Sequence, residues 1–80
     1  MKKVLFKVMD MKGNIRTTET IIYKNQRNAE LGISRRIGNL IRIGFDNFEI
    51  KTKPNEITMY RYVFKGPTIV YKFKTEDVPD

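Results

Sequence analysis

The 80-residue sequence predicts a small α+β domain: one α-helix packed on an antiparallel β-sheet of about five strands, in the order ββαβββ. Three observations support this prediction. Most segments alternate apolar and polar residues with the period of strands, and one stretch repeats with the helical period of about 3.6. Gly, Pro, Asn and Asp cluster between these segments, where turns are expected.

The first two strands are predicted to form a β-hairpin. In residues 3–9, Val4, Phe6 and Val8 alternate with their neighbours as along a strand that is buried on one side. Residues 15–23 are rich in β-branched side chains, which favour strands. Residues 10–14 contain Asp, Gly and Asn, and these residue types are typical of a short turn.

The helical period predicts one helix over residues 27–43. Asn25 or Asn28 can cap its N-terminus, and Gly44 lies where a left-handed C-cap is expected. The apolar residues of this segment fall on one face of the helix, which is expected to pack on the sheet. They are Ala29, Ile33, Ile37, Leu40 and Ile41.

Three strands are predicted after the helix, over residues 48–53, 57–65 and 68–74. Residues 53–56 contain Pro at the second position of a turn, and Gly66 with Pro67 marks the next turn. We expect Tyr60, Tyr62 and Phe64 to share the helix-facing side of the sheet with residues of the last strand. These residues are Ile69, Tyr71 and Phe73.

Composition limits the function. The chain has 16 Lys and Arg against 9 Asp and Glu, a net charge of +7, and it has no Cys, His or Trp. Disulfides, Cys/His zinc sites and histidine-based catalysis are therefore excluded. We expect no cofactor and no metal site. No apolar run approaches the roughly 18 residues of a membrane span, so a cytoplasmic protein without membrane contact is expected. An isolated domain of this size is only marginally stable, which makes a homodimer possible.

Charge is distributed unevenly along the chain. Residues 1–75 are predicted to form a single basic domain, and residues 76–80, with three acids and no base, a short flexible acidic tail. A basic body suggests an anionic partner, either nucleic acid or an acidic protein surface.

The favoured function is a small non-catalytic protein that contacts nucleic-acid phosphates through the sheet face opposite the helix. The residues expected on that face are Lys3, Lys7, Arg61, Lys72 and Lys74. Arg35 and Arg42, on the outer face of the helix, form an alternative surface for the same partner. A sheet that is open to solvent on one side is usually polar, and lysines also protect edge strands, so a purely structural role is the competing explanation. Exposure of Tyr60, Tyr62, Tyr71 and Phe73 as a stacking platform is less favoured, because it would leave too thin a core.

A second hypothesis is an accessory protein of the kind carried by phages and mobile elements, which inhibits or modulates a host protein such as a defence nuclease. Its interface would use exposed apolar residues beside basic ones. The candidates are Leu31, Arg35, Met59 and Val63. This hypothesis rests on size and composition alone.

Two further interpretations are weaker. Residues 31–36 resemble the turn and recognition-helix start of helix-turn-helix proteins, but residues 17–23 predict a strand where that motif requires a helix. Tyr60, Arg61, Tyr62 and Lys72 have the residue types of some small RNA-cleaving toxins that work without histidine. Their spacing is that of any basic aromatic hairpin, so catalysis is not favoured.

Overall fold

The computed structural model describes residues 1–42 and 46–79 and confirms the predicted α+β class and element order. The elements are β1 (Lys2–Asp10), β2 (Ile15–Tyr23), α1 (Gln26–Arg42), β3 (Asn47–Lys53), β4 (Glu56–Tyr62) and β5 (Ile69–Asp77). The sheet order is β2-β1-β5-β4-β3, and all neighbouring strands are antiparallel. The central strands are therefore β1, β5 and β4. The predicted C-cap at Gly44 lies outside the described residues.

The turns follow from the residue types that form them. The Asp10 carboxylate accepts hydrogen bonds from the backbone N–H groups of Lys12 and Asn14, each 2.9 Å long, and Gly13 supplies a φ of 88°. Lys53 pairs with Glu56, so the β3–β4 loop consists of Pro54 and Asn55, the latter at φ 60°. Pro favours the first of the two central positions of such a turn, which is the second of its four residues. Asn tolerates the left-handed conformation at the other central position.

Helix α1 begins after Asn25, whose side-chain Oδ1 accepts a hydrogen bond of 2.9 Å from the Asn28 N–H. This contact confirms Asn25 as the N-cap. Of the predicted apolar stripe, Ala29 and Ile33 are buried, and Ile37 and Leu40 pack against the core. Ile41 at the end of the stripe is 40% exposed. Within residues 1–42, strand β2 directly precedes α1, so this part of the chain has no earlier helix of the kind that a helix-turn-helix motif requires.

The core lies between α1 and one face of the sheet. Its buried side chains are Val4, Phe6, Ala29, Ile33, Met59, Tyr71 and Phe73. The rings of Phe6 and Phe73, opposite each other on β1 and β5, have centroids 4.9 Å apart. The prediction that β1 and β5 turn these residues toward the helix is confirmed.

An ion pair fastens the helix to the sheet. The two terminal nitrogens of Arg36 donate to the two carboxylate oxygens of Glu19 on β2, each at 2.8 Å, and the guanidinium lies 5.0 Å from the centroid of the Phe6 ring. The helix therefore lies nearest β1 and β2. Strand β3 is covered less, and Ile50 on it is 45% exposed.

The predicted orientation of β4 is wrong. Met59 is fully buried and lies opposite Tyr71, so Met59 faces the helix and Tyr60 faces away from it. The strand ends at Tyr62, which is 41% exposed, and Phe64 is 82% exposed in the connection to β5. The physical reason is register: a shift of one residue exchanges the two faces of a strand, and both faces of β4 carry large apolar residues.

The predicted tail boundary at residue 76 is also wrong. Strand β5 continues through Asp77, with Glu76 opposite Lys3 and Asp77 opposite Lys2 on β1. Ion pairs join Lys3 to Glu76 and Lys2 to Asp77, and the Val78 N–H donates to the Met1 carbonyl. Long-range pairing with a basic strand orders residues that composition alone assigned to a flexible end.

Candidate nucleic-acid interface

The sheet face opposite the helix is basic. In an antiparallel sheet, directly opposed residues share a face. The registers therefore place six lysines on the face away from the core, which we call the lysine face: Lys3 and Lys7 on β1, Lys72 and Lys74 on β5, and Lys51 and Lys53 on β3. Three carboxylates share this face, Glu49, Glu56 and Glu76, which gives these nine residues a net charge of +3.

Two lysines are opposed at the centre of this face. Lys7 on β1 pairs directly with Lys72 on β5. Like charges in directly opposed positions destabilise a sheet. Both strands are interior, so the protection of sheet edges that explains many lysines does not apply to them.

Carboxylates neutralise part of the lysine face. Glu56 lies 3.3 Å from the ammonium of Lys72, and Glu49 lies 3.9 Å from that of Lys51. Glu76 is shared between Lys3, at 3.3 Å, and Lys74, at 3.6 Å. The hydrogen bond and charge of Lys3, with the charge of Lys74, lower the pKa of Glu76.

Two lysines of this face have no carboxylate partner among the described residues. They are Lys7, at the centre, and Lys53, at the β3 edge. Uncompensated positive charge is thus available both in the middle of the face and at its rim.

The lysine face also contains a depression of about 470 Å³ that is lined by both apolar and polar side chains. Its apolar lining consists of Met9, Met11, Tyr60 and Val70, the last only 6% exposed. Its charged lining consists of Lys51, Lys53 and Lys72, together with Asp10 and Glu56. The depression therefore combines a net positive charge with one aromatic and three other apolar side chains.

Four of the five bases predicted for the sheet surface lie on this face: Lys3, Lys7, Lys72 and Lys74. Arg61 does not, because it shares the helix side of β4 with Met59. Its Nε donates to an Asp46 carboxylate oxygen at 2.7 Å. This contact holds the guanidinium on the helix side of the sheet. Hydrogen bonds with Tyr71 and Asp46 raise the pKa of Arg61.

The position of Arg61 also separates the residues considered for catalysis. Tyr60, Tyr62 and Lys72 lie on the lysine face, whereas Arg61 lies on the other side of the sheet. These four side chains do not form one site. Among the described residues no cluster of three or more His, Cys, Asp or Glu has the geometry to hold a metal ion.

The residues predicted for a protein interface do not form one surface. Met59 is buried in the core, which excludes it as a contact residue. Val63 is half-buried in the β4–β5 connection, where its carbonyl accepts a hydrogen bond from Gly66. Leu31, 46% exposed, and Arg35 lie on the outer face of α1, on the opposite side of the molecule from the lysine face.

The outer face of α1 is a second basic surface. Arg35 and Arg42 are exposed there, as predicted, and Arg27 shares the same stripe because the three residues are spaced by eight and seven positions. No ion pair involves these three arginines within residues 1–42 and 46–79. The stripe is about 22 Å long at the rise of an α-helix.

Sequence reasoning missed Lys51 and Lys53 as residues of the lysine face. They alternate along β3, so the pattern of residues 48–53 could have placed them together on one side. For Tyr60 the sequence favours the helix side, because Tyr62 and Phe64 on the same side of the strand predict an apolar row, and exposure as a stacking platform is the less favoured alternative.

Comparison with known protein families, curated proteins and solved structures gives no match. We therefore infer the function from the surfaces of the molecule. In the described part of the chain, no helix has both the length and the apolar character needed to cross a bilayer.

Proposed function

We propose that this protein is a small non-catalytic nucleic-acid-binding protein, and that the lysine face contacts the phosphate backbone. The observation that carries this proposal is the direct opposition of Lys7 and Lys72 on interior strands. Only Lys72 of this pair has a carboxylate beside it, Glu56 at 3.3 Å, so a phosphate bound at the pair would supply the negative charge that Lys7 lacks.

The surrounding residues support the same function. Lys3, Lys74, Lys51 and Lys53 lie on the same face as the central pair. Lys53 has no carboxylate partner among the described residues, and the partners of the other three, Glu76 and Glu49, are half-buried or exposed. Exposed ion pairs of this kind are weak, so a polyanion can displace the carboxylates at little cost. Contacts of this type do not read base edges, so we expect weak sequence selectivity and strong salt dependence.

The test measures the binding of labelled oligonucleotides by fluorescence anisotropy, at salt concentrations from about 50 to about 200 mM. In the Lys7→Gln/Lys72→Gln variant, we expect weaker binding and a salt slope reduced by about one unit per lysine. The matched control, Arg35→Gln/Arg42→Gln, removes the same charge from α1 and should leave binding nearly unchanged.

Stability provides an independent readout. Removing one member of a like-charged pair should leave the thermal midpoint of Lys7→Gln unchanged or raise it, whereas a structural lysine would lower it. Unchanged affinity in the double lysine variant, or a loss seen only in the arginine variant, would overturn the assignment of the lysine face.

A second candidate function is binding to an acidic protein, as an inhibitor or adaptor of the mobile-element type. The observation that favours it is the exposed Leu31 on the same helix face as Arg27 and Arg35. Protein interfaces concentrate their binding energy in a few residues. A purified partner that loses most of its affinity on Leu31→Ala or Arg35→Ala, and not on Lys7→Gln, would favour this candidate.

A further inference from the structure

The depression on the lysine face has features that phosphate binding does not require. Phosphates need only charge and hydrogen-bond donors, yet Met9, Met11, Tyr60 and Val70 line the depression beside its three lysines. Its volume of about 470 Å³ lies within the range of small-molecule sites. Apolar side chains and lysines in one depression fit a ligand that has both a flat apolar part and negative charge.

Tyr60, which carries an aromatic ring, lines the depression and is half-buried. The Lys51 ammonium lies 5.4 Å from the centroid of this ring, which is the geometry of a cation–π contact. That ammonium belongs to an exposed side chain on the edge strand β3. An aromatic ligand can therefore take its place over the ring, while Lys51 turns to a neighbouring phosphate.

We propose that this depression receives an unpaired nucleobase stacked on Tyr60, so that the preferred ligand is single-stranded nucleic acid. The inference rests on the proposed function and adds the class of ligand. In a duplex the faces of the bases are stacked on each other and cannot reach a recessed ring. In a single strand they can, and stacking on an aromatic side chain tolerates any sequence.

The experiment compares an oligothymidylate of about ten nucleotides with a mixed-sequence strand, alone and annealed to its complement. Tyr60→Leu should weaken binding to single strands about tenfold, without changing the salt slope, and should leave duplex binding unchanged. Tyr60→Phe keeps the ring and should bind as the unmodified protein does.

Tyr62→Leu is the matched control. Tyr62 lies on the same strand and face, is exposed, and donates through its hydroxyl to Glu49 at 2.7 Å, but it does not line the depression. It should have no effect on single-strand binding. A loss equal to that of Tyr60→Leu would overturn the proposed subsite.

A measurement on the unmodified protein tests the proposal without depending on whether the Tyr60 variants fold. In NMR titrations with the oligothymidylate, the ring protons of Tyr60 should shift upfield because of the stacked base, and those of Tyr62 should not. In one outcome, the Lys7→Gln/Lys72→Gln variant loses affinity while the Tyr60 ring protons do not shift and Tyr60→Leu binds normally. That result would support phosphate binding and overturn the base subsite. If no nucleic acid binds at low salt, both proposals fail.

Discussion

The two faces of the sheet are formed by the same five strands but differ in how their charged side chains are paired. On the helix side, Arg36 is held by Glu19 and Arg61 by Asp46, each at hydrogen-bond distance. On the open side, Lys7 faces Lys72 across two interior strands. The covered side therefore pairs its arginines with carboxylates. The open side also has ion pairs, but it leaves Lys7 at its centre without a carboxylate partner among the described residues.

The largest expected effect on stability comes from removing a core side chain on the helix side of the sheet. Phe73 is 1% exposed and packs against the Phe6 ring, so Phe73→Ala should lower the free energy of unfolding by about 3–5 kcal/mol. Lys72→Gln, one position away on the other face, should change it by less than about 0.5 kcal/mol. Urea unfolding followed by circular dichroism measures both. Similar losses for the two variants would mean that the open face is also structural.

A smaller effect separates the two sides of the helix. A Cβ at Gly32 would overlap the ring and hydroxyl of Tyr23, whereas a Cβ at Gly38 meets nothing within 4 Å. Because Ala is the better helix former, Gly38→Ala should stabilise the protein by about 1 kcal/mol. Gly32→Ala should lose that gain, since Tyr23 must move, and give a net destabilisation of up to about 1 kcal/mol.

A double-mutant cycle with Tyr23→Leu tests the cause of that difference. If the Tyr23 ring is responsible, Gly32→Ala becomes less costly in the Tyr23→Leu background and Gly38→Ala is unaffected. Equal effects of the two glycine substitutions in the unmodified protein would contradict the close approach of Tyr23 to the helix.

The order of elements and four of the six lysines on the lysine face could be predicted from the sequence. In β1 and β5, large apolar residues such as Phe6 and Phe73 form a row on only one side of each strand, and that side faces the core. Alternation then places Lys7 and Lys72 on the other side. Charge position follows directly from the hydrophobic pattern in these strands.

The orientation of β4 could not be predicted in this way. Ile57 and Met59 compete with Tyr60 and Tyr62 for the core, and alternation alone does not choose between the two rows. The choice depends on the register with β5, which in turn depends on the length of the irregular connection over residues 63–68. The error placed Arg61 on the wrong side of the sheet and Tyr60 in the core. The end of β5 was missed for a related reason, because its order depends on Lys2 and Lys3 at the other end of the chain.

The smallest expected effect sharpens the contrast in charge pairing through pH. The hydrogen bonds from Arg36 lower the pKa of Glu19 below its ordinary value of 4.5. A carboxyl with a lowered pKa in the folded state stabilises the protein above its unfolded pKa, and this contribution is lost as the pH falls through the folded pKa. The thermal midpoint should therefore decrease as the pH is lowered below about 4.5, and this decrease should be smaller in Glu19→Gln.

Glu30→Gln is the control, because Glu30 lies on the exposed side of α1 and has no ion pair among the described residues. This variant should show the full decrease in thermal midpoint. If Glu19→Gln and Glu30→Gln follow the same pH profile, the Arg36 contact does not hold the helix to β2 in solution. The charge pairing of the covered face would then be no stronger than that of the lysine face.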